Sequence, residues 1–196
     1  GFTWTGPLSA VPSPPEPTGD PAGDAAARQG WLEERARAWL VALPETEDPA
    51  LDRVRRLATS DRSPRVRRAA GLALLAAEQE DGLDAVIDSL TFVNADNDPR
   101  VPAGSLVGRL QALTGADHEF DPQAWKLWWQ DHRGTGRVAA RLPAWRLLER
   151  ARLTSSRGNP ADAAFLCDQA LDLSGGDPAI RRIAGSLMGR WGSLLA

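Results

Sequence analysis

Residues 61–75 read DRSPRVRRAAGLALL, and residues 96–110 read DNDPRVPAGSLVGRL. At an offset of 35 residues the two stretches share a helix-start pattern and several apolar positions. Each follows a shorter amphipathic segment, at 49–59 and 82–91. This internal repeat predicts two successive pairs of antiparallel helices. The matching residues are Asp61 and Asp96, Pro64 and Pro99, Arg65 and Arg100, Val66 and Val101, and Leu75 and Leu110.

The spacing of apolar residues in the shorter segments supports a helical repeat. Leu83, Val86, Ile87 and Leu90 recur at i, i+3, i+4 and i+7, which places them on one face of a helix. A single pair of helices cannot bury both of its faces, so neighbouring pairs must stack on each other. The expected architecture is therefore a solenoid.

Most of the expected helices begin with a short polar residue followed by proline. The polar side chain accepts a hydrogen bond from a backbone N–H that has no helical partner, and the missing N–H of proline costs nothing at the first helical position. No segment alternates with the period of two that a half-buried strand requires. We therefore predict an all-α fold, an α-solenoid of antiparallel helix pairs. The six starts are Asp48-Pro49, Ser63-Pro64, Asp98-Pro99, Asp121-Pro122, Asn159-Pro160 and Asp177-Pro178.

The repeat resembles a known family. Residues 61–74 fit the pattern D-x-S/D-P-x-V-R-x-A-A-x-x-A-L, which is similar to the second helix of HEAT repeats. The resemblance covers about residues 49–132. The second copy departs from it at Pro102, which stands where the first copy has Arg67. The polar ladder between helices that the resemblance implies is thus interrupted in the second repeat.

The C-terminal part, about residues 144–195, resembles tetratricopeptide repeats instead. Small residues fall where the helices of that family cross, and Gly185 follows Ala151 by 34 residues. The resemblance implies helices at 142–155, 160–173 and 178–194, after a short connector at 131–143. The small residues are Ala151, Gly158, Ala163, Ala170 and Gly185.

Three regions follow from these patterns. Residues 1–24 hold six prolines and four glycines and are expected to form an extended arm or linker. Its aromatic residues Phe2 and Trp4 either lie in a disordered tail or dock on a partner or on the chain itself. Residues 25–132 form HEAT-like repeats, with a first helix near 24–43. Residues 133–196 form a tetratricopeptide-like hairpin and a C-terminal helix.

The composition is that of an ordinary soluble protein, with a net charge of −3 and a pI of about 5.5. A general nucleic-acid binder is disfavoured, because that function needs clustered positive charge. Lys126 is the only lysine and tyrosine is absent, a bias typical of GC-rich bacterial genomes. A lone cysteine, Cys167, excludes an intramolecular disulfide and a CxxC zinc site. It is expected to be a small core residue.

No run of about 18 apolar residues occurs, so no transmembrane helix is predicted. The chain begins at Gly1 and not at Met, which we interpret as a processed mature chain or an excised domain. A mature exported protein fits the proline-rich start. An extracytoplasmic location is therefore favoured over a cytoplasmic one.

Residues 113–132, LTGADHEFDPQAWKLWWQDH, offer either a site or a helix. The acidic residues and His118 at 117–121 could serve as metal ligands or acid–base groups, yet His118 has no second histidine at i+3 or i+4. Asp121 is better explained as a cap before Pro122. Trp125, Trp128, Trp129 and His132 fall within a stripe of roughly 100°, which predicts a buried helix face. The alternative is an exposed indole that binds a partner.

An arginine band runs from Arg53 to Arg68. We interpret it as solvated helix faces, with Arg67 paired to an acidic residue in a neighbouring helix. A patch for an acidic protein partner and a nucleic-acid site are the alternatives. No GxSxG, Walker A or GxGxxG motif is present.

These observations favour a non-catalytic scaffold or protein–protein interaction module, a subunit of a larger assembly. No catalytic residue, cofactor or metal ligand is predicted. One alternative is a nucleic-acid-binding or base-processing protein, since HEAT-like DNA glycosylases combine tryptophan with arginine. Another is an enzyme that uses the Asp/His/Glu cluster at 117–121. The protein-binding candidates are Phe2, Trp4, Arg65, Arg68, His118 and Trp128.

Overall fold

The computed structural model describes residues 15–44, 48–92 and 103–192. The candidates Phe2 and Trp4 and the expected helix start at Asp98-Pro99 lie outside the described residues.

Within the described residues, helices are the only regular elements, so the all-α prediction is confirmed. The solenoid arrangement stays a prediction. The helices are α1 (Pro21–Val41), α2 (Pro49–Ser60), α3 (Pro64–Ala76), α4 (Gly82–Ser89), α5 (Ala103–Thr114), α6 (Pro122–His132), α7 (Leu142–Ser156), α8 (Pro160–Leu173) and α9 (Pro178–Gly192), with a 3-10 turn at Ala139–Arg141 before α7.

The polar-proline dipeptides start the helices as expected. Asp48, Asp121, Asn159 and Asp177 each accept hydrogen bonds from backbone N–H groups of the first helical turn. Ser63 precedes α3 without a side-chain cap bond. The same signal also starts α1, where Asp20 accepts hydrogen bonds from Ala22 N and Gly23 N. The first helix therefore begins at Pro21, inside the stretch that was predicted to be an extended arm.

The chain divides into two compact units, unit 1 (Gly1–Asp98) and unit 2 (Pro99–Ala196). In unit 1, α3 packs against α1, α2 and α4. The core contains Leu32, Trp39 and Val66, all fully buried. Arg35 is also buried and lies over the rings of Trp31 and Trp39, at 5.5 and 5.7 Å from their centroids. Burial lowers the pKa of this guanidinium.

Helices α3 and α4 approach each other at two glycines. A Cβ on Gly71 would lie 2.6 Å from the carbonyl oxygen of Gly82 and 3.0 Å from the side chain of Ala85. A Cβ on Gly82 would likewise clash with the carbonyl oxygen of Gly71. The two backbones can meet at this distance only because both positions lack a side chain.

In unit 2, α8 packs against α7 and α9, and α9 also contacts α5 and α7. The small residues predicted at these crossings divide into two groups. Ala151, Ala163 and Ala170 are fully buried, as expected. Gly158 and Gly185 are exposed, so the prediction is wrong for them: Gly158 has a φ of +82° in the turn after α7, and a Cβ on Gly185 would meet nothing within 4 Å.

The contact-based division falls at 98/99, whereas the sequence patterns placed a change of repeat type at 132/133. The change of repeat type stays a prediction.

The two units differ in charge. Residues 1–98 hold 10 arginines against 17 acidic residues, and residues 99–196 hold 13 basic residues against 9 acidic ones. None of the helices in the described part of the chain has the length and apolarity needed to span a membrane.

Candidate protein-interaction surface

The loop between α5 and α6 is held by its own side chains. Helix α5 stops at Thr114, and Gly115 follows with a φ of +73°, the conformation in which glycine commonly ends a helix. Asp117 accepts hydrogen bonds from Gln111 Nε2 at 2.7 Å and from the backbone N–H of Glu119 at 3.3 Å. Its Oδ2 also lies 3.6 Å from Arg182 Nη1 on α9. This carboxylate therefore shapes the loop.

The candidate His118 is half-buried and packs on α6. Its ring lies edge-to-face against Trp125, with the ring centroids 4.9 Å apart. Its Nε2 is buried and has no hydrogen-bond partner among the described residues. Asp121 is occupied as the cap of α6. In the part of the chain that is described, no three His, Cys, Asp or Glu side chains are placed to hold a metal ion.

Helix α6 has a buried face, which is narrower than the sequence predicted. Trp125 and Trp129 are buried, and Trp125 Nε1 donates to the carbonyl oxygen of Glu119 at 3.0 Å. Trp128 and His132 are only half-buried, so the prediction of a buried face is wrong for them. They stack on each other instead, with centroids 4.3 Å apart and planes at 8°. The contact between α6 and the core depends on two indoles.

A second, less buried apolar set lies on α6 and directly before it, and we name it the outer stripe: Phe120, Ala124, Leu127 and Trp128. Phe120 is 56% exposed and Leu127 is 54% exposed. Ala124 and Trp128 are half-buried. Ala124, Leu127 and Trp128 fall within an arc of about 100° on α6, and Phe120 lies two residues before the helix begins at Pro122. Of this set the sequence predicts only Trp128 as a binding residue, because the spacing of apolar residues does not show which of them a neighbouring element covers.

Two arginines in the connector after α6 lie on its tryptophans. Arg137 Cζ is 5.9 Å from the Trp128 ring, and Arg133 Cζ is 5.3 Å from the Trp129 ring. These cation–π contacts hold exposed guanidinium groups at the C-terminal end of α6. The outer stripe therefore ends at a positively charged rim.

The arginine band of unit 1 is largely engaged within the unit. Arg68, a predicted binding candidate, is buried to 2% exposure, so a partner would not reach it. Arg65 is half-buried. Arg67 was predicted to pair with an acidic residue, but its Nη1 donates to the backbone carbonyl oxygen of Asp61 at 2.7 Å. It closes the loop between α2 and α3.

Arg55 pairs instead with Asp81, at 3.1 Å between Nε and Oδ2. Both line a cavity of about 260 Å³ with Arg67, Asp84 and Asp88. The charges of this cavity are mixed and partly paired, so it favours no single ligand.

Cys167 has the properties of a core residue. It is fully buried on α8, as predicted. Burial, together with the charge of Asp168, raises the pKa of its thiol to about 11, while Arg152 acts in the opposite direction. A protonated, inaccessible thiol is a poor nucleophile.

Comparison of the chain with protein-family models, with curated proteins and with solved structures finds no match. The HEAT and tetratricopeptide resemblances therefore stay predictions, and the candidate surface depends on its geometry alone.

Proposed function

We propose that this protein is a non-catalytic helical module that binds another protein through the outer stripe of α6. The observation that carries the proposal is the exposure of two large apolar side chains, Leu127 on the capped helix α6 and Phe120 directly before its cap. Large apolar side chains grouped on a fixed element, with a polar rim, are a common basis of protein recognition. The HEAT-like and tetratricopeptide-like repeats are part of this proposal, as is membership of a larger assembly.

The same contacts make the other two functions weaker candidates. General acid–base catalysis needs carboxylates or imidazoles that can reach a substrate proton. Asp117 is instead bonded to Gln111 and close to Arg182, and Asp121 caps α6. Recognition of single-stranded nucleic acid needs an accessible aromatic ring beside positive charge, so that a base can stack while its phosphate is neutralised. The ring of Trp128 already stacks on His132 and lies beneath Arg137.

Site-specific photo-crosslinking tests the proposal. A photoreactive residue replaces Leu127 in the full chain, and a matched control carries it at Ser60, which is also exposed on a helix. We expect one crosslinked protein at position 127 in cells of the source organism and none at position 60. With that protein purified, Leu127→Asp should weaken binding at least about tenfold, because it places a charge in an apolar contact.

Two results would overturn the proposal. One is an identical set of crosslinks at positions 127 and 60, together with a partner affinity that Leu127→Asp does not change. The other is binding of duplex or single-stranded DNA that persists at physiological salt and is lost in Trp128→Ala. That second result would favour the nucleic-acid alternative.

A further inference from the structure

Helix α8 is packed on one side only. Its fully buried residues are Ala163, Cys167 and Ala170, a line of small side chains. Its largest side chain, Phe165, points the other way and is 63% exposed. Leu173 at the end of the helix is 59% exposed. The helix therefore holds its position through small residues and presents its large apolar residues to the solvent.

The same helix is acidic, in contrast to the rest of its unit. It contains Asp162, Asp168 and Asp172 and no lysine or arginine, although basic residues outnumber acidic ones in unit 2. Asp162 contacts the cap residue Asn159. Asp168 and Asp172 are exposed, and neither forms an ion pair with any residue in the described ranges. Two carboxylates four residues apart are thus available on one side of α8 to pair with the cationic side chains of a partner.

Apart from Asp162, whose carboxylate is bonded to Asn159 at the start of the helix, the apolar and acidic residues occupy separate edges of the exposed face. At 100° per residue, Phe165 lies at the centre of the exposed arc. Leu173 and the half-buried Leu166 lie about 80–100° to one side of it, and Asp168 and Asp172 lie about 20–60° to the other. This arrangement matches an amphipathic helix whose apolar face is bordered by positive charge.

We propose that the outer face of α8 binds a basic amphipathic helix of a partner protein. Leucine-type side chains of the partner pack on Phe165 and Leu173, while its arginines or lysines pair with Asp168 and Asp172. The excess positive charge of unit 2 does not prevent this pairing, because charges farther away than about 8 Å are screened at physiological ionic strength. The proposal adds a second binding surface and a class of partner, and it rests on the proposed function in that both describe the chain as a protein-binding module.

The test uses the full chain and two labelled helical peptides of about 18 residues. The first carries leucines at i, i+4, i+7 and i+11 with arginines along both borders, and the second has glutamate in place of each arginine. Binding is followed by fluorescence anisotropy at two salt concentrations. We expect the basic peptide to bind and the acidic peptide not to bind. Phe165→Ala should weaken binding about tenfold or more.

A double variant, Asp168→Asn with Asp172→Asn, separates charge from packing. It should weaken binding about fivefold or more and flatten its salt dependence, because each lost ion pair removes a screened attraction. Val41→Ala is the matched control, since Val41 is an exposed apolar residue on α1 and belongs to neither proposed surface. It should change the affinity less than twofold. All substituted positions are exposed, so thermal melts should match the parent chain.

The proposal is overturned if the basic peptide does not bind at about 500 µM, if both peptides bind equally, or if Phe165→Ala binds like the parent. Self-association of the chain that depends on Phe165 would also overturn it, because the occupant would then be a second copy. None of these results involves Leu127. The crosslinking test of the outer stripe can therefore fail while this proposal holds, and the reverse is also true.

Discussion

The carbonyl oxygen of Gly82 lies 2.6 Å from the point that a Cβ on Gly71 would occupy. This distance is too short for a real contact, and the obstructing atom belongs to the backbone of α4. Any side chain at position 71 must therefore push α4 away from α3. The crossing of these helices sets the packing of unit 1, because α3 also contacts α1 and α2.

Gly71→Ala should lower the free energy of unfolding by about 2 kcal/mol or more, as expected for overpacking that requires a backbone shift. Urea denaturation measures the change. Gly30→Ala is the control, because Gly30 also lies inside a helix but a Cβ there would meet nothing within 4 Å. That substitution should stabilise the protein by about 0.5–1 kcal/mol. Equal effects of the two alanines would show that the crossing is not as tight as described.

A second close approach ends α5. A Cβ on Gly115 would lie 2.6 Å from Arg141 Nη2, and Arg141 is bonded to Asp177 at the start of α9. Gly115→Ala should therefore cost more than the roughly 1 kcal/mol of an alanine at positive φ. Gly136→Ala isolates that strain, since Gly136 has a similar φ of +75° and open space around it.

Thermal and urea unfolding of the two variants measure the difference. We expect Gly115→Ala to be the less stable by about 1 kcal/mol or more. A Gly115→Ala variant as stable as Gly136→Ala would mean that Arg141 moves aside at no cost.

Glu149 is a buried carboxylate held by two arginines. Its Oε2 lies 3.0 Å from Arg109 Nη2, and its Oε1 lies 3.1 Å from Arg152 Nε. Glu149→Gln keeps the shape and removes the charge, so two largely buried guanidinium groups lose their counterion. We expect a loss of about 3 kcal/mol in the free energy of unfolding.

The matched control is Asp52→Asn, which removes one of the two carboxylates that pair with Arg55 at the surface. The side chain of Asp52 is 75% exposed, so the loss should stay below about 0.5 kcal/mol. Similar losses in both variants would contradict the description of Glu149 as the centre of a buried network.

The raised pKa of Cys167 predicts a pH dependence. The folded state releases the thiol proton near pH 11, whereas an unperturbed thiol releases it near 9.0. The folded state therefore binds more protons between these values, and the free energy of unfolding falls as pH rises from 9 to 11. This contribution is fully present below pH 9.

Cys167→Ala should remove that component, so its stability should fall less steeply over the same pH range. A thiol reagent at pH 8 provides a second measurement, and it should react with the parent chain far faster in urea than in buffer. Rapid modification of the folded chain would show that Cys167 is accessible.

The helix starts could be predicted because their signal is local. A polar residue followed by proline fixes one backbone angle and supplies one cap, and it needs no knowledge of the rest of the fold. Asp121 and Asp177 act as the pattern requires. The start at Asp20-Pro21 carries the same signal. The proline-rich residues before it nevertheless favour the prediction of an extended arm through residue 24.

The sites were harder to predict because exposure depends on packing partners. The helical spacing places Trp125, Trp128 and Trp129 on one side of a helix. It does not show that only two of these indoles, those of Trp125 and Trp129, would be buried. The sequence pattern likewise predicts a carboxylate partner for Arg67, whereas its Nη1 donates to the backbone carbonyl oxygen of Asp61. The exposure of Phe165 could not be predicted from the sequence, because it follows from the packing of α8 through its small residues on the other side.

The unequal charges of the two units change how the acidic isoelectric point should be interpreted. A pI of about 5.5 describes the average over the whole chain, whereas a ligand meets only the charges within a few ångströms. The excess of acidic residues disfavours polyanion binding by residues 1–98. Residues 99–196 carry an excess of basic residues, so the same reasoning does not apply to them. A heparin column could therefore retain this acidic protein at low salt through its second unit. Such retention would reflect an uneven distribution of arginine, and it would not identify a nucleic-acid-binding protein.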